Sequence, residues 1–166
     1  MDGFEMAVRA VVGQQISVAG ARTVLARLVS GALGPATHDD LRPFPTGQQV
    51  ADAPDDAFGM PAARRLTLRR LGIEVAEGRL RLDPAATRAE VWARLLEIPG
   101  IGPWTAQYVA MRALRDPDVL LATDLGVRRG AAALGLPDDP VRLAAHAAEY
   151  WAPWRSYATI RLWRAG

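Results

Sequence analysis

No cysteine occurs among the 166 residues. Disulfides, thiolate zinc sites and a cysteine-ligated iron–sulfur cluster are thereby excluded. Lysine is absent too, since every one of the 20 basic residues is arginine. No lysine Schiff base, pyridoxal site or phosphate-loop lysine can form, and the only amine is that of the N-terminus. Histidine is scarce: His38 falls in an expected loop and His146 on an expected helix, with no metal-ligand spacing between them. No apolar run reaches ~18 residues, so no membrane span is expected. Met1-Asp2-Gly3-Phe4-Glu5 lacks the basic and apolar blocks of a signal peptide, and a cytoplasmic protein is the expectation.

Half of the residues are apolar, and the mean hydropathy of +0.02 belongs to a globular chain with one core. The net charge of +2 says little about partners. Helical spacing dominates. Phe4, Ala7, Val8, Val11 and Val12 share one face, and Gly13 closes that segment. A second helix is expected from Ser17 to about Leu33, stopped by Gly34-Pro35, and residues 35–47 read as a surface loop. Thr46 can cap a short helix over Gly47–Ala53, and 55–58 is a turn. Pro61 opens an arginine-rich helix (Arg64, Arg65, Arg69, Arg70) that ends at Gly78 and reads as a solvated face. Thr87 and Glu90 have the spacing of a capping box for a helix through Leu96. Pro103 starts the next helix. Others follow Asp124 and Pro140, and the last runs from about Pro153 to Trp163. The strip Arg79–Asp83 alternates but has no partner strand. An all-α domain of eight to ten helices results, without a substantial sheet.

The most informative stretch is Leu95-Leu96-Glu97-Ile98-Pro99-Gly100-Ile101-Gly102-Pro103-Trp104-Thr105-Ala106, two helices joined by a Pro-Gly-apolar-Gly turn. Glycines there leave the backbone amides at the second helix's start uncovered. Converging amides at a helix N-terminus attract an anion, and DNA phosphate is the natural one. Ile98 and Ile101 would anchor the turn in the core. An ordinary glycine-rich turn between packed helices fits the same residues, and both readings are open at this point.

This segment resembles the hairpin of the helix-hairpin-helix DNA glycosylase superfamily. The chain as a whole is similar to the alkylbase (3-methyladenine DNA glycosylase II type) branch. Phe4 to Ser17, the hairpin through Tyr108, Asp124-Leu125, and Trp151–Tyr157 ending at Trp163 carry the match. Gln14-Gln15-Ile16-Ser17 and Thr123–Arg129 also resemble the glycosylase half of fusions with an alkyl-transfer regulator. The branch usually has an N-terminal sheet domain; here the helical match begins at Phe4. A single helical domain over 1–166 is therefore expected, with the hairpin at about 88–115, as a monomer or as part of a longer chain.

The resemblance implies roles for particular residues. Asp124 would be catalytic, Trp104, Tyr108 and Trp163 would line the base pocket, and the amides of Gly100, Gly102 and Thr105 would bind phosphate. Gln15 would be the DNA wedge, where better-known members of the branch have leucine. A monovalent cation would sit on the carbonyls of Leu96, Ile98 and Gly100, with no other cofactor. The partner implied is duplex DNA with a damaged base, which would associate the protein with the nucleoid. Trp104 occupies the position where bifunctional members have a lysine, so a lyase route is closed.

The residues themselves agree in part. A fixed carboxylate suits an oxocarbenium-like sugar, and one is enough when the leaving base is already cationic. Trp104 and Tyr108, four apart, share a helix face and could stack on a purine. Yet an aspartate at a helix start is ordinarily an N-cap, and that role is compatible with chemistry. Trp151 and Trp154 read as core residues, and Arg128-Arg129 as closer to DNA than the Arg64–Arg70 group. Two other readings stay open: a non-catalytic helix-hairpin-helix DNA-binding module, or a glycosylase for a mismatched, deaminated or oxidised base.

Overall fold

Eight of the ten residues of α1 (Gly3–Val12) are buried, so this helix is wrapped by the others rather than laid on a surface. The computed structural model describes residues 2–34, 43–83 and 85–166, among which lie nine α-helices, one short 3-10 helix and no strand. α2 (Val18–Leu33) starts where the Ser17 hydroxyl accepts the Gly20 amide at 3.1 Å. α3 (Gly47–Asp52) has a full capping box between Thr46 and Gln49, and the 3-10 helix covers Asp55–Phe58. α4 (Ala62–Ala76) opens after Pro61. α5 (Arg88–Leu96) and α6 (Pro103–Ala113) flank the hairpin turn, with Pro103 in the first turn of α6. α7 (Leu125–Ala133), α8 (Pro140–Tyr150) and α9 (Arg155–Ala165) complete the chain.

α1 packs against α2, α4 and α6, and α7 packs against α9. The latter contact depends on Gly130. A Cβ there would land on the Leu162 carbonyl, so only glycine lets the two helix backbones meet. Among the described residues, no helix is long and apolar enough to cross a membrane.

Three local expectations are corrected. The capping box at Thr87 does not form, because the Thr87 hydroxyl donates to the Glu90 carboxylate and accepts no α5 amide. Trp154 is not a core residue: it precedes α9, is 59% exposed and leans edge-on against Tyr157 at 5.9 Å. The α9 face that is buried carries Ser156, Thr159 and Leu162 instead. The arginines of α4 are not one solvated face either. Arg69 bonds the Ala51 and Ala53 carbonyls and Asp55, lies 4.9 Å from the Phe58 ring centre, and with Arg65 anchors the 51–55 segment. Trp151 packs against the core, as expected. His38 and most of the proposed 35–47 loop lie outside the described residues.

Candidate nucleic-acid interface and active site

The hairpin turn is held from below. Ile98 and Ile101 are buried, and the Ile101 amide donates to the Ile98 carbonyl at 3.0 Å. Gly100 has φ +90°, and a Cβ there would strike the Thr67 hydroxyl, so glycine is required on both counts. Thr67, on α4, donates to the Pro99 carbonyl at 2.7 Å. Gly102 differs: nothing lies within 4 Å of where its Cβ would be. It caps α6 without any side-chain bond to the first amides, which have no intrahelical acceptor. An uncovered, positively polarised helix start thus faces open space.

Gln14 joins this hairpin to the turn between α1 and α2. Its Nε2 donates to Thr105 Oγ1 at 2.9 Å and to the Gly100 carbonyl at 3.3 Å. The next residue, Gln15, is exposed and left-handed at φ 58°. The α1–α2 turn and the hairpin are therefore one surface. No periodicity distinguishes Gln14 from Gln15, and their separate roles appear only in three dimensions.

Asp124 meets three donors. Its Oδ1 accepts the Trp163 indole N–H at 2.8 Å and the Val127 amide at 3.0 Å, while Oδ2 accepts the Trp104 indole N–H at 3.1 Å. The N-cap role and the position beside the hairpin thus coexist. Trp104 stacks on Tyr108 at 5.4 Å and 18°, and Tyr108 meets Trp163 at 6.1 Å and 54°. Asp124 and the three aromatic side chains are all half-buried, each on the edge of the core. Sequence separations of 20 and 39 residues between Asp124 and its two indoles are bridged here.

What brings Trp163 to Asp124 is a set of polar contacts that the sequence did not single out. The Ser156 hydroxyl accepts the Val119 amide at 2.9 Å and donates to the Asp116 carbonyl at 2.6 Å. Thr159 donates to the Val119 carbonyl at 3.0 Å, and Arg155 forks onto both oxygens of Asp118 at 2.6 and 2.7 Å. This pairing with Arg155 holds the Asp118 carboxyl below the usual carboxylate range. The segment 116–119 leads directly to Asp124, and α9 carries Trp163 two turns later, so both sides of the site are anchored together. Buried Ser and Thr have no sequence signature before their partners are known.

The remaining expected residues are spread more widely. The carbonyl of Ile98 already accepts the turn bond and that of Gly100 accepts Gln14. Arg128 is turned to the Asp138 carbonyl at 2.8 Å, whereas Arg129 is exposed. His146 lies tilted against Tyr150 and edge-on to Trp151. Among the described residues, no group of three or more His, Asp or Glu could hold a metal ion.

No protein-family model matches the chain. It is 42% identical over 167 residues to the probable bifunctional transcriptional activator/DNA repair enzyme AlkA of Mycobacterium tuberculosis, covering 98% of this chain and 33% of that protein. It is 35% identical over 168 residues to DNA-3-methyladenine glycosylase 2 of Escherichia coli, covering 98% of this chain and 57% of that one. The chain thus spans between a third and somewhat over half of these two relatives. Its fold superposes on the Schizosaccharomyces pombe 3-methyladenine DNA glycosylase Mag1, solved in complex with abasic DNA. The TM-score is 0.82 at 26% identity, over 98% of this chain and 80% of that one. Over nearly its whole length the chain is thus similar, in sequence and in fold, to helix-hairpin-helix DNA glycosylases of the 3-methyladenine DNA glycosylase type.

Proposed function

We propose that this chain is a monofunctional DNA glycosylase that flips alkylated, cationic purines such as 3-methyladenine out of duplex DNA and removes them by hydrolysis. The observation that carries this reading is the Asp124 carboxylate, fixed by two indole N–H groups within an aromatic cluster beside the hairpin. The names of its relatives support the substrate class.

In this account the amides of Gly100, Gly102 and Thr105 take a backbone phosphate and set the register of the duplex. Gln15, exposed on a left-handed backbone, fills the gap from which the base has left. Trp104, Tyr108 and Trp163 receive the base, and an electron-rich aromatic face favours a cationic purine over a neutral one. The bond from the sugar's anomeric carbon to the purine nitrogen breaks, and its electron pair neutralises the departing cationic base. The developing sugar cation is stabilised by the nearby fixed anion. A carboxylate offers about four acceptor sites. Oδ1 uses two and Oδ2 one, so Oδ2 keeps a site for the attacking water, whose oxygen bonds to the anomeric carbon as its proton passes to Oδ2 and on to solvent. With no lysine present, no lysine Schiff base competes with this water.

A monovalent cation on the carbonyls of Leu96, Ile98 and Gly100 is compatible with the donor set. Ile98 and Gly100 each retain a second lone pair beyond the bonds noted above. It would supply only phosphate attraction.

The test is incubation with a methylated duplex followed by identification of free bases and of the strand. Released 3-methyladenine is expected, with an abasic strand that breaks only after alkali and no adduct trapped by borohydride. DNA binding without base release would favour a non-catalytic binding module. Strand cleavage with a trapped adduct would rule out the water mechanism.

A further inference from the structure

We propose that Arg64 is a further phosphate-binding residue, holding the DNA backbone in the groove between α4 and the hairpin. The proposal rests on the glycosylase reading above and extends its DNA interface beyond the hairpin amides.

The groove has a volume of about 830 Å³, and Gln14, Arg64, Thr67, Pro99 and Gly100 line it. Its walls therefore include the turn that carries Gln15 and the tip of the hairpin itself. Arg64 lies one helical turn before Thr67, the residue that fixes the Pro99 carbonyl, so it stands beside that tip on the same face of α4.

Charge separates Arg64 from its neighbours. Arg65 and Arg69 are paired with Asp55, and Arg70 with Glu74 at 2.8 Å. Two acidic residues lie close to the groove, and both are compensated. Glu97 is paired with Arg94 at 3.0 Å, and Glu74 is shared by Arg70 and Arg79. Arg64 alone of these arginines has no carboxylate partner among the described residues, and it is only half exposed. α4 also begins at Pro61 without a side-chain cap, so its positive end adds to the same region. A planar guanidinium in a groove that reaches the hairpin tip at Pro99 and Gly100 suits a phosphate oxygen pair. The groove offers no exposed aromatic face on which a base could stack, which favours backbone over base.

The measurement is the affinity of the wild-type protein, Arg64→Gln and Arg64→Lys for one undamaged and one methylated duplex between 50 and 200 mM salt, with circular dichroism confirming that each variant is folded. One lost phosphate contact lowers the slope of log affinity against log salt by about 0.9. Over that fourfold change in salt, the wild type should therefore lose about 3.5-fold more affinity than Arg64→Gln. Arg64→Lys keeps the charge and should keep the wild-type slope. A wild-type slope in folded Arg64→Gln would overturn the inference. So would a defect confined to damaged DNA, which would move Arg64 to the base pocket. A wild-type protein that binds no duplex at 50 mM salt would instead overturn the glycosylase reading.

Discussion

Substituting Gly102 by leucine isolates the hairpin from everything else. Its backbone, φ −96° and ψ 176°, is extended and open to any residue, and the space for a side chain is empty. The fold should therefore lose only the advantage of glycine over leucine at an N-cap, about 0.5–1 kcal/mol. For a domain stable by roughly 5–15 kcal/mol that is minor, and the melting temperature should fall by about 1–4 °C. The new side chain projects where a phosphate must approach the first amides of α6. Hydrogen bonds to a charged group contribute about 1.5–3 kcal/mol, so removing that contact should weaken binding roughly ten- to a hundredfold. Leucine adds bulk without charge, so electrostatics elsewhere are unchanged. Fluorescence anisotropy on one methylated and one undamaged duplex, at a single salt concentration, reads the effect. Equal losses on both duplexes are expected. A Gly102→Leu protein that binds both within twofold of wild type would refute the role of the hairpin amides.

Trp163→Phe keeps a ring against Tyr108 but removes the 2.8 Å bond to Asp124, so base release should slow about tenfold or more while undamaged binding is unchanged. Equal slowing by Trp163→Phe and Trp163→Ala would assign the effect to that bond; a normal rate in Trp163→Phe would show that the bond is dispensable. Trp104→Ala removes both a stacking face, worth about 1–3 kcal/mol, and an Asp124 donor, so it should lower the preference for cationic over neutral bases without touching undamaged binding. The acid stability of the fold should depend on Asp118 and Glu74, which Arg155 and Arg79 hold below the normal carboxylate range. A depressed folded value stabilises fully above the unfolded carboxylate range, about pH 4, and that contribution disappears as pH falls below it. The melting temperature of Asp118→Asn should therefore vary less with pH below about 4 than that of wild type, and an unchanged acid limb would contradict the assignment.

Most helices were legible because their starts are chemically marked: Ser17, Thr46 and Asp124 all cap as their side chains suggest. Thr87 and Glu90 show where such marks mislead. A hydroxyl can satisfy either an amide or a neighbouring carboxylate, and at an exposed helix end nothing in the sequence decides between them. Trp154 was misread for a related reason. Tryptophan is apolar enough for a core, but burial depends on which face of α9 turns inward, and that is decided by Ser156 and Thr159 bonding to the 116–119 segment. At the site, Asp124 and Trp104 were joined only by the resemblance to helix-hairpin-helix DNA glycosylases, because nothing in the turn's own residues predicts an aspartate twenty positions later. Gln14 could not be told from Gln15, nor Arg64 from Arg65, because adjacent residues of one type differ only in direction, and direction follows from tertiary packing.

The central claim is that Asp124 supplies the charge that stabilises the departing sugar, and Asp124→Asn tests it under single-turnover conditions on a methylated duplex. Asparagine caps about as well as aspartate, so the Val127 bond should survive. Its amide would face the Trp104 indole N–H donor to donor, and the loss of that one bond should cost about 1–2 kcal/mol without unfolding the protein. Undamaged binding should match wild type. Release of 3-methyladenine should fall by at least about 10³-fold, since the stabilising anion is gone. A folded Asp124→Asn protein releasing the base within tenfold of the wild-type rate would contradict the account.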